Sequence, residues 1–183
     1  MIRAPTIVVL ICVALVQADF NQDTDWSSAQ SFYDFKARDL QGNEISLDKY
    51  RGHVVVAING ATKCPASSKG FKQLQALLER YGESDGLRVV NFTVDGLAGG
   101  SGTSEEIAAF FQSKDFALDV LEKIETEGDK AHPVYKWMKS QLPTQDKIMP
   151  GSKIVIDKNG KVVYRGMPTG PVAELEDTLK QYF

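Results

Sequence analysis

The sequence predicts an α/β fold in which a central mixed β-sheet is flanked by helices and preceded by an N-terminal β-hairpin. Three observations carry this. Residues 54–58, Val-Val-Val-Ala-Ile, are apolar without alternation, the pattern of a strand covered on both faces. Phe71, Leu74, Leu77, Leu78 and Tyr81 then recur at helical spacing, and a second apolar segment at 87–94 completes a strand-helix-strand unit. Finally, Ile154 to Ile156 and Val162 to Tyr164 flank Asp157-Lys158-Asn159-Gly160, whose Asn-Gly pair signals a hairpin.

In chain order, Arg3, the apolar stretch 6–16 and the small-residue end Val16-Gln17-Ala18 make residues 1–18 a secretory signal peptide. A membrane span would need about 20 apolar residues, and Asp19, Asn21, Asp23 and Asp25 interrupt too soon. Residues 19–30 are polar and acidic, a flexible leader, with the domain expected over 31–183. Phe35, Ala37, Ile45 and Leu47 alternate around Gln41-Gly42-Asn43 as the first hairpin. The buried strand covers 53–59, and the next helix is capped at Ser67-Ser68 and stopped at Gly82, which leaves Cys64 in a strand-to-helix loop. After the second strand, a Gly-rich stretch at 95–102 meets Thr103-Ser104-Glu105-Glu106, a capping box that opens a helix through Ile107 to Phe111. A further helix spans 129–140, with Pro133 near its first turn, and an amphipathic helix at 172–182 closes the chain.

With 183 residues and 43% of them hydrophobic, the chain supports one core. A net charge of -3 without basic runs gives no footprint for nucleic acid or an anionic membrane surface. Cys12 lies within the signal peptide, so Cys64 is the only cysteine expected in the mature protein and no internal disulfide is possible. With His53 and His132 as its only histidines, the chain offers too few ligands for a zinc site, and it carries no nucleotide or flavin motif.

Strand, helix, strand, helix, hairpin and terminal helix is the order of a thioredoxin-like fold. Tyr33-Asp34-Phe35 with Leu40-Gln41-Gly42, Leu47-Asp48-Lys49-Tyr50-Arg51-Gly52, Ala61-Thr62-Lys63-Cys64, Ala131-His132-Pro133-Val134-Tyr135-Lys136, residues 153–160 and Met167-Pro168-Thr169 together resemble the glutathione peroxidase family. The resemblance spans 31–183. It implies a peroxidase responding to oxidative stress, which the signal peptide makes a secreted one, with Cys64 at the place of the peroxidatic cysteine or selenocysteine. Small-molecule hydroperoxide would be the substrate, with glutathione or another thiol as co-substrate and no bound cofactor. The short connection between His132 and Lys153 resembles that of monomeric members.

The resemblance fails at the donors that family members place around the sulfur. Gly96 stands at the glutamine position, and Met149-Pro150 stand where tryptophan and asparagine would be. A slow peroxidase is therefore expected. Chemistry supports Cys64 independently, since a helix N-terminus and the cation of Lys63 both favour the thiolate, whereas Asp95, if it faces the site, opposes it. Two alternatives remain. Cys64-Pro65-Ala66-Ser67 resembles the monothiol site of a disulfide-exchange or redox-sensing protein, and loss of the donors also fits a secreted binding protein without catalysis. His132, at a helix start, is expected to cap and pack. Asn91-Phe92-Thr93 is a glycosylation sequon whose mid-strand position predicts no modification.

Overall fold

The computed structural model describes residues 24–95, 100–142 and 148–183, so the expected signal peptide and Gly96 lie outside the described residues. Strands β1 (Lys36–Arg38) and β2 (Glu44–Ser46) pair antiparallel as the expected first hairpin. Gly42 in its turn has φ +83°, a conformation that a side chain would disfavour. Leu47, expected at the end of that hairpin, instead opens a 3₁₀ turn, Leu47–Tyr50, capped by the Ser46 hydroxyl. The chain continues through β3 (Val55–Ile58), α1 (Pro65–Tyr81), β4 (Arg88–Phe92), α2 (Ser104–Ser113) and β5 (Asp119–Leu121). It ends with α3 (Pro133–Gln141), β6 (Lys153–Ile156), β7 (Val162–Gly166) and α4 (Val172–Lys180).

The main sheet has the order β5-β4-β3-β6-β7. Helical crossovers make β3, β4 and β5 parallel, whereas β6 runs antiparallel to both β3 and β7, so the sheet is mixed as expected. Alternation along β3 sends Val56 and Ile58 to one face and Val55 and Ala57 to the other. The first face is covered by Phe71, Leu74 and Leu77 of α1, Ile107 and Phe111 of α2, and Leu175 and Leu179 of α4. Val134, Tyr135, Trp137 and Met138 of α3, with Phe32, Phe35 and Tyr50, cover the second. Both faces of β3 are therefore dry, which is why its sequence does not alternate.

Two helix starts and one strand differ from expectation, and residues ahead of the domain are tied to it, each for a local reason. Residues 24–30, expected as part of a flexible leader, are held: Asp25 closes a turn through Ser27 and Ser28, and the buried Trp137 indole donates to Ala29 O at 3.1 Å. Helix α1 starts at Pro65, before the expected Ser67-Ser68 cap, because proline suits the first helical position and the Ser67 hydroxyl is engaged elsewhere. Helix α3 starts at Pro133, since residues 128–131 form a separate turn closed by Ala131 N to Gly128 O at 3.1 Å. Strand β5 was not expected; its three residues are too few to show a period, and its ladder with β4 creates it.

Candidate functional site

Strand β3 ends in the middle of the sheet, and the chain must turn there to start α1. Cys64 N donates to Ala61 O at 3.2 Å, which closes that turn. Cys64 is thereby the N-cap residue of α1, with extended backbone angles (φ -98°, ψ 119°), and it is half-buried. The sequence placed it in the loop before the helix; the structure places it one residue from the helix proper. The first intrahelical bond, Ser68 N to Cys64 O, measures 3.2 Å. Pro65 has no N–H, and the Cys64 side chain makes no capping hydrogen bond, but it sits at the positive end of a 17-residue helix. That end favours a thiolate over a thiol.

The turn before Cys64 is held by side chains. Gly60 N donates to Asn91 Oδ1 (2.8 Å) from β4, Ala61 N to Ser67 Oγ (3.2 Å) from α1, and Thr62 N to Ser101 Oγ (3.3 Å) from the segment before α2. Asn91 Nδ2 in turn donates to Thr93 Oγ1 (3.1 Å), which donates to Leu121 O (2.8 Å). Asn91, Thr93, Ser67, Ser101 and Thr62 are all buried. Sequence reasoning missed this set, because Ser, Thr and Asn at strand ends carry no periodic signal. The cluster of such residues beside two apolar strands was the available clue. Gly60 is also required for space: a Cβ there would lie 2.2 Å from the Phe71 ring and 2.8 Å from Asn91 Oδ1.

The charges differ from the sequence expectation. Lys63 Nζ is exposed and lies 3.8 Å from Glu106 Oε2, so its cation is shared with α2. Asp95 turns its carboxylate to Ser101 N at 2.8 Å and to Lys123 Nζ at 3.2 Å. These contacts, the Ser101 N–H first, hold its pKa below the ordinary carboxylate range, and Lys63 contributes. On the other flank, Gly151 N donates to Asn59 O at 2.7 Å, which ties Met149 and Pro150 to the end of β3. Met149 is 42% exposed. Lys153, buried beside Lys69, donates to Pro168 O at 2.8 Å, and burial followed by Lys69 lowers its pKa. No group of three or more potential metal ligands exists among the described residues.

His132 caps α3, its Nδ1 accepting from Val134 N at 3.3 Å, as its sequence position suggested. Burial depresses its pKa from 6.5 to about 4. Its neutral form is the folded one, so the unfolded chain binds the additional proton between those values. Stability from this group is full above 6.5 and falls as the pH is lowered toward about 4. His132→Asn keeps a capping oxygen but cannot titrate. Urea midpoints measured from pH 7 to pH 4.5 should fall less steeply in this variant than in the parent protein; parallel profiles would contradict the assignment.

The glutathione peroxidase family model matches residues 32–139. Over 165 residues the chain is 36% identical to the phospholipid hydroperoxide glutathione peroxidase of Callithrix jacchus, covering 87% of this chain and 83% of that protein. The solved structure of Trgpx in its apo form is similar with a TM-score of 0.68 at 28% identity, covering 84% of this chain and 96% of that one. A thiol:disulfide interchange protein of the thioredoxin family from Chlorobium tepidum TLS has a TM-score of 0.58 at 17% identity, over 81% of this chain and 92% of its own. The last shares the fold alone. Together these establish the thioredoxin-like fold expected from the element order.

Proposed function

From the premise that this chain belongs to the glutathione peroxidase family, we propose that it is a secreted, slow, single-cysteine peroxidase that reduces hydroperoxides through Cys64 at the expense of an external thiol. The observation that carries this reading is the seat of Cys64: half-buried, in the turn after the central strand, and at the N-cap position of the positive end of α1. The Cys64 thiolate attacks the distal peroxide oxygen, the O–O bond breaks, and the alkoxide leaves as alcohol after taking a proton. Cys64 is then a sulfenic acid. One glutathione forms a mixed disulfide with loss of water, and a second releases the Cys64 thiol as glutathione disulfide forms. A second thiol is needed from outside because Cys12, the other cysteine of the sequence, belongs to the proposed signal peptide.

The test is to expose the reduced protein to hydrogen peroxide with dimedone and to locate the adduct by peptide mass spectrometry. An adduct on Cys64 that forms in proportion to peroxide is expected, and glutathione should suppress it. A Cys64 that alkylates readily yet never forms the adduct would overturn the peroxidase reading. Monothiol disulfide exchange would then take its place, a reading favoured by Met149 and Pro150, which supply neither the indole nor the amide donor of the family pattern.

The secreted form is expected to be a monomer that begins near Asp19 and carries no glycan on Asn91. The Asn91 amide is fully buried, and both its polar atoms are engaged within the fold. A native mass spectrum of material from the medium reads all three properties. A tetramer, retention of residues 1–18 or a hexose-bearing Asn91 peptide would each sink the corresponding part.

A further inference from the structure

Cys64 keeps its place without the family's donor side chains, and the bonds around Ser101 offer an explanation. Ser101 is fully buried and makes four hydrogen bonds: N to Asp95 Oδ1 (2.8 Å), Oγ to Val94 O (2.6 Å), and, as acceptor, Oγ from Thr62 N (3.3 Å) and O from Thr62 Oγ1 (2.8 Å). Two of these fasten Ser101 to the end of the β4 segment. The other two grip Thr62, two residues before Cys64 in the turn that Cys64 N closes on Ala61 O. Asp95, held by Lys123, anchors the far side.

We propose that Ser101, acting through Thr62, is a positioning residue that fixes Cys64 at the N-cap of α1. This rests on reading Cys64 as the reacting group. A connection of six residues, 59–64, between a buried strand and a helix has few internal constraints. Its Gly60 and Ala61 N–H groups are held by Asn91 and Ser67, which orient the start of the turn. Among the described residues, the Ser101 pair is what holds Thr62, and Thr62 leads into the peptide that enters Cys64. When that grip is lost, Cys64 is no longer held at the positive end of α1, and the bias toward thiolate weakens. The charged groups around the turn, namely Lys63 with Glu106 of α2, Asp95 with Lys123, and Lys69 with Lys153, remain unchanged in the variants below, so a change in titration reports geometry.

The experiment measures the pH dependence of iodoacetamide alkylation at Cys64 in Thr62→Val, Thr62→Ser, Ser101→Ala and, as a distant control, Tyr50→Phe, which loses a buried hydroxyl bond to Asp119 of 2.8 Å. Thr62→Val retains the side-chain shape and guards against a Ser101 variant that fails to fold. Alkylation at pH 7 should fall by roughly 3- to 10-fold in Thr62→Val and Ser101→Ala as the profile moves toward that of an ordinary thiol of about 8.5. Thr62→Ser and Tyr50→Phe should overlay the parent protein. Overlaid profiles for all four variants, or an equal shift in Tyr50→Phe, would overturn the proposal. Discriminating profiles in a protein that never forms the peroxide-dependent adduct would support the positioning role and reject only the peroxidase reading.

Discussion

Restoring the lost donors should raise the rate of Cys64 oxidation by hydroperoxide, with each well-placed donor contributing on the order of 10²–10³-fold. The relevant substitutions are Gly96→Gln, Met149→Trp and Pro150→Asn, combined because family members use the three groups together. The physical basis is charge: the attacking sulfur is anionic, and the leaving oxygen becomes so as the O–O bond breaks. Hydrogen-bond donors already aimed at those atoms stabilise that charge without reorganising. In the present chain the positive end of α1 offers only general support, with no hydrogen bond from its first turn to the Cys64 side chain and with Pro65 lacking an N–H. Met149 is exposed beside the end of β3, so an indole can be accommodated there without displacing the core. Stopped-flow measurement of peroxide-dependent thiol loss gives the rate, and Cys64→Ser should abolish it in both backgrounds. An unchanged rate in a folded triple variant would show that donors are not what limits this site.

Phe71→Ala should destabilise the protein by about 3–5 kcal/mol. Phe71 is fully buried on α1, with the Phe111 ring edge-on at a centroid distance of 4.9 Å and the rings of Phe116 and Phe110 at 6.0 and 6.1 Å. Domains are commonly stable by only about 5–15 kcal/mol, so this loss is a large share of the whole. Guanidinium unfolding should show a lower midpoint at unchanged slope. Phe71 also occupies the space a Cβ on Gly60 would need. Gly60→Ala should therefore be costly in the parent protein and much less so in Phe71→Ala, a non-additivity that the same titrations detect. Additive costs would mean that the ring and the reactive turn do not share space. The reactive turn and the core of the α1 face are thus a single packing problem.

The sequence is most legible where burial is regular. Covered strands appear as unbroken apolar runs, and α1, α2, α3 and α4 appear as apolar stripes, with usable caps at α2 (Thr103 with Glu106) and α3 (His132). Cys64 was placed close to its true position because a strand followed by a helix leaves little choice for the residue between. Legibility ends where a polar side chain has a non-local partner. Ser67 has the composition of a helix cap, yet its hydroxyl serves Ala61 N across the turn. Ser101, in a Gly-rich stretch, gives no sign that it is buried. Lys63 and Asp95 share their charges with Glu106 and Lys123, partners which only the tertiary structure brings close.

Strand β5 forms one border of the sheet, and a border strand ordinarily presents open hydrogen-bonding groups to any other extended chain. Here Asp39 bridges Leu121 in antiparallel fashion, and Glu122 N donates to Arg38 O at 2.9 Å. The N-terminal hairpin thus acts as a guard against self-templating: it occupies the end of the border where a second molecule would have to begin to zip.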